Sequence, residues 1–297
     1  QGYSSAASDV YKRQAKMLSR EIATTLGGRF WNKDVYPYSF AEYLNARDII
    51  LSKNWMYGKQ AAEVSKAFND YFLYGGFPEL TDVIAKRVWL NDIYSKIFFS
   101  DLIVRNKVRN EEALGLLVRR LAENVKQPVS YTRLANLISS IGIKISKATV
   151  IEFIRYLKES CLIFPIENYA AKFAERNSNM KHYFIDNGLL SIFLLDGNTS
   201  LLENIVAIHL YKRYGAQLYF YNQNIEVDFI IPEAKTAIQV SYSLMDETTC
   251  RREVEGLIKL NRVFPMDNMC IITRDEERII THESGVSIHV ILALIHI

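Results

Sequence analysis

Much that would place a chain quickly is missing from this one. Its 297 residues include three cysteines, Cys161, Cys250 and Cys270, with no CxxC pair and no metal-type spacing. That usage gives no disulfide framework and fits a reducing cytosol. No apolar run approaches the ~18–20 residues that a membrane span needs; the closest is the tail from Val290 to Ile297. No secretory signal pattern is read at the start. The net charge is only +3, which argues neither for nor against nucleic acid. The five histidines are scattered, with no HxH or HExxH pair, so none is assigned a metal or base role. No GxSxG turn and no Ser/His/Asp or Cys/His arrangement is readable, and there is no internal repeat or low-complexity tract. What is present is globular material. Hydrophobic residues make up 49% and charged residues 23%, which predicts real cores, and the length predicts two or three domains.

Residues Gln1–Gln14 carry no apolar period and resemble translated adapter sequence. They are set apart as a non-native leader, and the natural protein is expected to begin further upstream. From Lys16 the pattern is organised. A short helix ends at Gly27-Gly28, and Ser39 caps a second from Phe40 to Leu44. Helical spacing runs from Gln60 to Leu73, Gly75-Gly76-Phe77-Pro78 breaks it, and an aromatic-rich helix follows from Val83 to Phe99. Between Asp101 and Ser160 stand eleven basic residues against six acidic ones, a local positive balance. That segment reads as a helix over Leu114–Ala122, a helix capped by Ser130, a turn at Gly142, and a helix over Lys147–Ser160. Strands follow at Leu162–Tyr169 and Lys181–Ile185. This is the order of a winged helix-turn-helix.

The stretch 202–241 carries the chemistry. Glu203 lies on a helix, and Asp228 lies on a strand two residues after Glu226, on the same face. Gln239 lies on the next strand. Helix 201–213, strands 217–221, 225–231 and 236–242, helix 250–261 and strand 268–273 give the order α-β-β-β-α-β, with a last strand near 287–292. This is the skeleton of the PD-(D/E)xK nuclease core. There, an Asp and a Glu or Gln hold Mg²⁺, and a Lys two residues later helps position the attacking water. Here that Lys slot is Ser241. Lys235, in the turn, is the nearest alternative cation.

Several stretches, taken in order, resemble the prokaryotic AAA-type ATPases that carry a C-terminal domain of unknown function. They are Leu18–Thr24 with Gly28-Arg29; Tyr36-Pro37 and Ser39-Phe40 with Glu42-Tyr43-Leu44; Tyr74–Glu79; Asp101 with Arg105; Ala122-Glu123-Asn124; Lys181-His182-Tyr183 with Asp186–Leu189; Leu202-Glu203-Asn204; Glu226–Phe229; and Ile238-Gln239-Val240. The resemblance implies an α+β multidomain chain. Residues 15–58 would be the trailing remnant of the P-loop ATPase domain and 59–105 its helical lid. Residues 106–186 would be the winged helix, and 187–297 a restriction-endonuclease-like α/β domain. The family's GxxxxGK[ST] loop is not in this chain, so ATP and Mg²⁺ are expected of the full-length protein, with no cofactor of this chain itself.

The expected roles follow. Glu203 and Asp228 are the candidate metal ligands, and Glu203, Asp228, Gln239 and Ser241 form a degenerate nuclease-like site. Lys144, Lys147, Arg155 and Lys158 are the candidate nucleic-acid contacts; the plain alternative is a solvated helix face. Arg20 and Arg29 could reach a nucleotide's γ-phosphate, against the plain alternative of an ion pair at a helix end. The leading function is the nucleic-acid-contacting part of an AAA-type ATPase. A Mg²⁺-dependent nuclease and a protein–protein adaptor are the alternatives. DNA, a second copy or another protein are the partners, without a membrane, in the cytoplasm.

Overall fold

In the computed structural model, residues 35–172 and 179–296 are described. The element order is α1 (Phe40–Asn45), α2 (Gln60–Tyr74), α3 (Lys86–Lys96), α4 (Glu111–Glu123), β1 (Val129–Ser130), α5 (Tyr131–Ser139), α6 (Lys147–Glu159), β2 (Ile163–Asn168) and β3 (Asn179–Phe184). There follow α7 (Asn187–Ser191), α8 (Asn198–Tyr214), β4 (Tyr219–Asn222), β5 (Glu226–Ile231), β6 (Thr236–Val240), α9 (Glu247–Val263), β7 (Asn268–Thr273), β8 (Arg278–Thr281), β9 (Ser287–Leu292) and α10 (Ala293–His296).

The local chemistry sets the helix ends. Ser39 and Glu42 form a reciprocal capping box on α1, which satisfies two backbone donors at once. Ser130, Ser146 and Asp246 cap α5, α6 and α9 with their side chains. The aromatic helix extends further than its sequence period predicts. After Lys96 it widens into a π-helical stretch over Ile97–Val104, and Asn106 donates to the Asp101 and Leu102 carbonyls at its end.

The strands form one mixed nine-stranded sheet among the described residues, in the order β1-β3-β2-β4-β5-β6-β7-β9-β8. β2 and β3 pair as an antiparallel hairpin. β2 also runs parallel to β4 through Glu167↔Tyr219 and Asn168↔Phe220. Asn168 reinforces that short seam by bonding both the N–H and the C=O of Asn222. The sheet is therefore continuous across the 186/187 boundary expected from sequence, and the described residues from Pro37 onward make one compact unit. Helices cover both faces, which makes this an α/β fold. One face, with Phe229, Ile231, Ile238 and Ile272, joins the core containing α2, α4–α6 and α8. The other, with Ile230, Ala237, Ile271 and Val290, packs on Val254, Leu257 and Ile258 of α9.

α8 is the central helix. Leu201 through Ile208 is buried without interruption, as expected of a helix enclosed on all sides. Each of its buried leucines and isoleucines contributes roughly 1.5–3 kcal/mol. Two polar residues, Glu203 and Asn204, are carried inside with them. Arg274, at the end of β7, ties α2 to the sheet. It bonds Asn69, and its guanidinium lies over the Phe68 ring at 4.5 Å.

Candidate functional site

The site begins where two strands part. β5 and β6 pair from Ile231↔Thr236 up to Phe229↔Ile238. Beyond that point β5 keeps its partner on one side, through Tyr221↔Val227 and Asn222↔Glu226. β6 keeps its partner on the other, through Gln239↔Ile271 and Val240↔Ile272. The fork would strand buried backbone groups, which is costly. Side chains fill the gap. The Gln239 carboxamide accepts the Asp228 N–H at 2.9 Å and donates to the Glu226 carbonyl at 3.1 Å. The Asp228 carboxylate accepts the Val240 N–H at 2.9 Å. Gly256 of α9 lets the helix approach, since a Cβ there would lie 3.0 Å from Gln239 Nε2.

The second carboxylate oxygen of Asp228 meets a lysine. Lys181, on β3, is 0% exposed. Its ammonium donates to Asp228 Oδ1 at 3.0 Å and to Glu203 Oε1 at 3.1 Å, with Glu226 Oε1 at 3.9 Å. Tyr183, two residues on and so on the same face of β3, donates its hydroxyl to Glu203 Oε1 at 2.7 Å. The Lys181 ammonium also lies 5.7 Å from the Phe220 ring centroid. Burial works against this ammonium, but the charges of Glu203 and Asp228 outweigh it and hold its pKa above the ordinary lysine value. Burial, and then the Asp228 charge, push Glu203 up to about 7. Burial and the Glu203 charge raise the Tyr183 phenol well above its usual value. Lys181 is thus the resident cation, and Glu203 is the carboxyl that titrates near neutrality.

In front of this centre opens a recess of about 420 Å³. Glu203, Glu226, Asp228, Gln239, Arg252 and Glu253 line it, with Lys126 and Lys259 among the further lining residues. Lys181 does not line it. Burial raises the Glu253 carboxyl; Arg252 opposes the shift, and the charges of Asp228 and Glu226 add to it. The position between Glu203 and Asp228, where the sequence reading sets a metal, is held by the Lys181 ammonium. Among the described residues, no group of three or more His, Cys, Asp or Glu side chains is arranged to hold a metal ion.

Glu203, Asp228 and Gln239 therefore come together as expected from their spacing. Ser241 does not join them, because its hydroxyl donates to the Ser243 carbonyl at 2.9 Å. Lys235 pairs with Asp267 at 3.5 Å. The lysine that does reach the centre, Lys181, and its neighbour Tyr183 enter the sequence reading as part of a strand and of one resembling stretch, with no site role. The available signal was a lysine alternating with aromatics in a strand otherwise fit for burial. Lys144, Lys147, Arg155 and Lys158 are all exposed, on or just before α6. Arg155 pairs with Glu159 at 3.0 Å and lies over the Tyr156 ring. Arg20 and Arg29 lie outside the described residues.

A second polar centre stands beside the first. Asp186 caps α7 by accepting the Gly188 and Leu189 N–H groups, and it accepts the Gly76 N–H at 2.8 Å. Asn187 donates to the carbonyls of Phe72 and Leu201. Asn204 donates to Asn187 and to the Phe184 carbonyl, and accepts the Phe184 N–H. Burial pushes the Asp186 carboxyl up to about 6, against the pull of its three N–H donors. There is no room to spare. A Cβ on Gly76 would lie 2.3 Å from the Tyr38 carbonyl oxygen, and one on Gly188 2.1 Å from that of Tyr74.

Comparison with known proteins gives relatives without assigned roles. Residues 65–200 match a family described as Domain of unknown function (DUF8612). The chain is 31% identical over 274 residues to an uncharacterized protein, MJ1544, of Methanocaldococcus jannaschii, covering 89% of this chain and 62% of that protein. It is 30% identical over 255 residues to an uncharacterized protein of Haemophilus influenzae, covering 83% of this chain and 61% of the relative. The chain thus spans about three fifths of the length of the curated relatives it matches. No solved structure matches. Among the described residues, no helix is long and apolar enough to cross a membrane.

Proposed function

We propose that this chain is the nucleic-acid-contacting part of a longer AAA-type ATPase, with a nuclease-like domain that no longer cleaves. The observation that carries the loss of cleavage is Lys181, whose ammonium fills the space between Glu203 and Asp228 and is sealed from solvent. A hydrolytic centre needs a cation that faces the substrate and a water that can be activated; a buried ammonium offers neither. The order α8-β4-β5-β6-α9-β7, with β4–β6 antiparallel and β7 parallel to β6, supports descent from a PD-(D/E)xK fold. The order α4-β1-α5-α6-β2-β3, with its terminal hairpin and β1 paired to β3, supports a winged helix. On this reading Lys144, Lys147 and Lys158 contact phosphates, and ATP with Mg²⁺ is bound by the full-length protein upstream of this segment.

The test is a gel-shift titration of duplex DNA with the chain, with and without Mg²⁺, on a gel that also reports cleavage. Three phosphate contacts predict a loss of affinity of roughly forty-fold between 50 and 200 mM salt, with the DNA intact in Mg²⁺. Mg²⁺-dependent cutting that disappears in Asp228→Ala would replace this reading with an active nuclease. The adaptor reading draws on a specific feature of α6. Its exposed face mixes Glu152 and Glu159 with the basic residues and leaves Ile151 44% exposed. Salt-independent failure to bind DNA would favour it.

A further inference from the structure

We infer that the two buried polar centres open as one unit, so that the end of α2 controls access to the charge centre behind the recess. The inference goes beyond the nucleic-acid reading and is tested separately from it. Its basis is adjacency in two elements. β3 carries Lys181 and Tyr183 into the charge centre and leads directly into Asp186 and Asn187 of the second polar centre, the clasp. α8 carries Glu203 into the first and Asn204, the next residue, into the second.

The path runs through hydrogen bonds joined by chain neighbours in β3, α7 and α8. Tyr71 donates its hydroxyl to the Tyr38 carbonyl, and the Tyr38 N–H donates to the Gly76 carbonyl at 2.7 Å. The Gly76 N–H reaches Asp186. The neighbouring Asn187 reaches Asn204, and Asn204 brackets both backbone groups of Phe184. From β3 and α8 the path continues through Lys181 and Glu203 to Asp228, and through Asp228 to Val240 of β6.

Two features make this a linkage rather than a list of contacts. Gly75, Gly76 and Gly188 are packed so closely that even a methyl group would collide with Asp186 or with backbone. Displacement of Gly76 therefore cannot be absorbed locally. In addition, the fork between β5 and β6 is held by side chains rather than by a ladder, so rotation of β3 or α8 that withdraws Lys181 leaves Asp228 and Glu203 uncompensated. A shift at the α2 end is delivered to the carboxylates lining the recess. Coupling of this kind requires an element with two arrangements that both sites bias, and we assign that role to the β3–α7–α8 unit.

Native-state amide exchange over a range of sub-denaturing urea tests this on the intact chain. The amides of Gly76, Phe184 and Val240 are each held by a side chain of the path, and that of Asp228 by Gln239 beside it. They are expected to open together, with one urea dependence, at a lower urea concentration than Ile271 in β7, the strand on the far side of β6 from the fork. Opening of Gly76 while Asp228 and Val240 stay protected would overturn the inference. So would opening of all five amides together. In Asn187→Ala, protection at Asp228 and Val240 is expected to fall about ten-fold or more while Ile271 is unchanged; an equal fall at Ile271 would count as plain loss of global stability and against the linkage. The wild-type measurement decides the matter even where that variant does not fold.

Discussion

Replacing Lys181 by Met keeps most of the side-chain volume and removes the charge. Wild type places one ammonium 3.0–3.1 Å from two carboxylates that are 4% and 13% exposed. Removing one member of a buried ion pair, while its partners stay, costs about 3–5 kcal/mol. The cost should depend on pH in a particular direction. Glu203 is pushed up to about 7 with the lysine present, and Lys181 is the principal group pulling it down. Without Lys181 its pKa rises further. A carboxyl whose folded pKa lies above its unfolded value stabilises the fold fully below the unfolded pKa and loses that contribution as pH rises through the folded one. Wild type therefore stops losing stability from Glu203 once pH exceeds about 7. Lys181→Met keeps losing it, at about 1.4 kcal/mol for each further pH unit. Urea melts of both proteins at pH 7 and at a pH one to two units higher should show a midpoint gap that widens with pH at constant slope. A gap under about 0.5 kcal/mol, the usual range of a surface substitution, or one that narrows as pH rises, would refute Lys181 as the counterion of this centre.

Three further outcomes are expected. His182 is 2% exposed and lies against Tyr131, near the charge of Lys158 and the backbone of Met180. Burial holds its pKa down at about 4, so its contribution is present above the unfolded value and is lost as pH falls through about 4; His182→Phe should flatten the acid limb by up to roughly 3 kcal/mol, and superimposable acid-unfolding curves would rule this out. Gly76→Ala drives a methyl into the Tyr38 carbonyl and should cost about 1–3 kcal/mol or more in a thermal melt. Gly142→Ala, with φ +92° and open space around it, should cost only the backbone term of about 1–2 kcal/mol, and a reversed order would contradict the clasp. Gln239→Glu swaps a donor for an acceptor facing the Glu226 carbonyl and should cost about 1–3 kcal/mol, where an unchanged midpoint would deny the side chain its bridging role.

The strands and helices of the C-terminal half were legible because period and turn residues agreed. β5 and β7 were read within a residue of their observed ends, and the capping serines 39 and 130 marked their helices. Two things were not legible, for different physical reasons. β8 carries no alternation strong enough to be read as a strand, since Arg278–Thr281 sits at an exposed sheet edge. Lys181 was hidden because spacing rules act along the chain, whereas this lysine meets its carboxylates across it: Glu203 lies 22 residues away and Asp228 lies 47 away. The sequence slot at Ser241 pointed to a missing charge, and the fold supplies a charge from another strand.

The polar residues of the centre trace to one geometric fact, the fork between β5 and β6. Were the ladder to continue past Phe229 and Ile238, the backbone of β5 and β6 would satisfy itself and the recess would close. With the strands parted, the Asp228 N–H, the Val240 N–H and the Glu226 carbonyl lose their ladder partners, and Gln239 and Asp228 take those places with their side chains. An aspartate used in this way brings a charge into a nearly closed site, and Lys181 answers it; Glu203 then answers Lys181, and Tyr183 supplies the hydrogen bond that Glu203 would otherwise lose. Each residue is required by the one before it. An apolar core of the same volume would often be as stable or more so. The arrangement therefore makes sense as the means of holding the fork open, and the recess with its carboxylate lining is what the open fork provides.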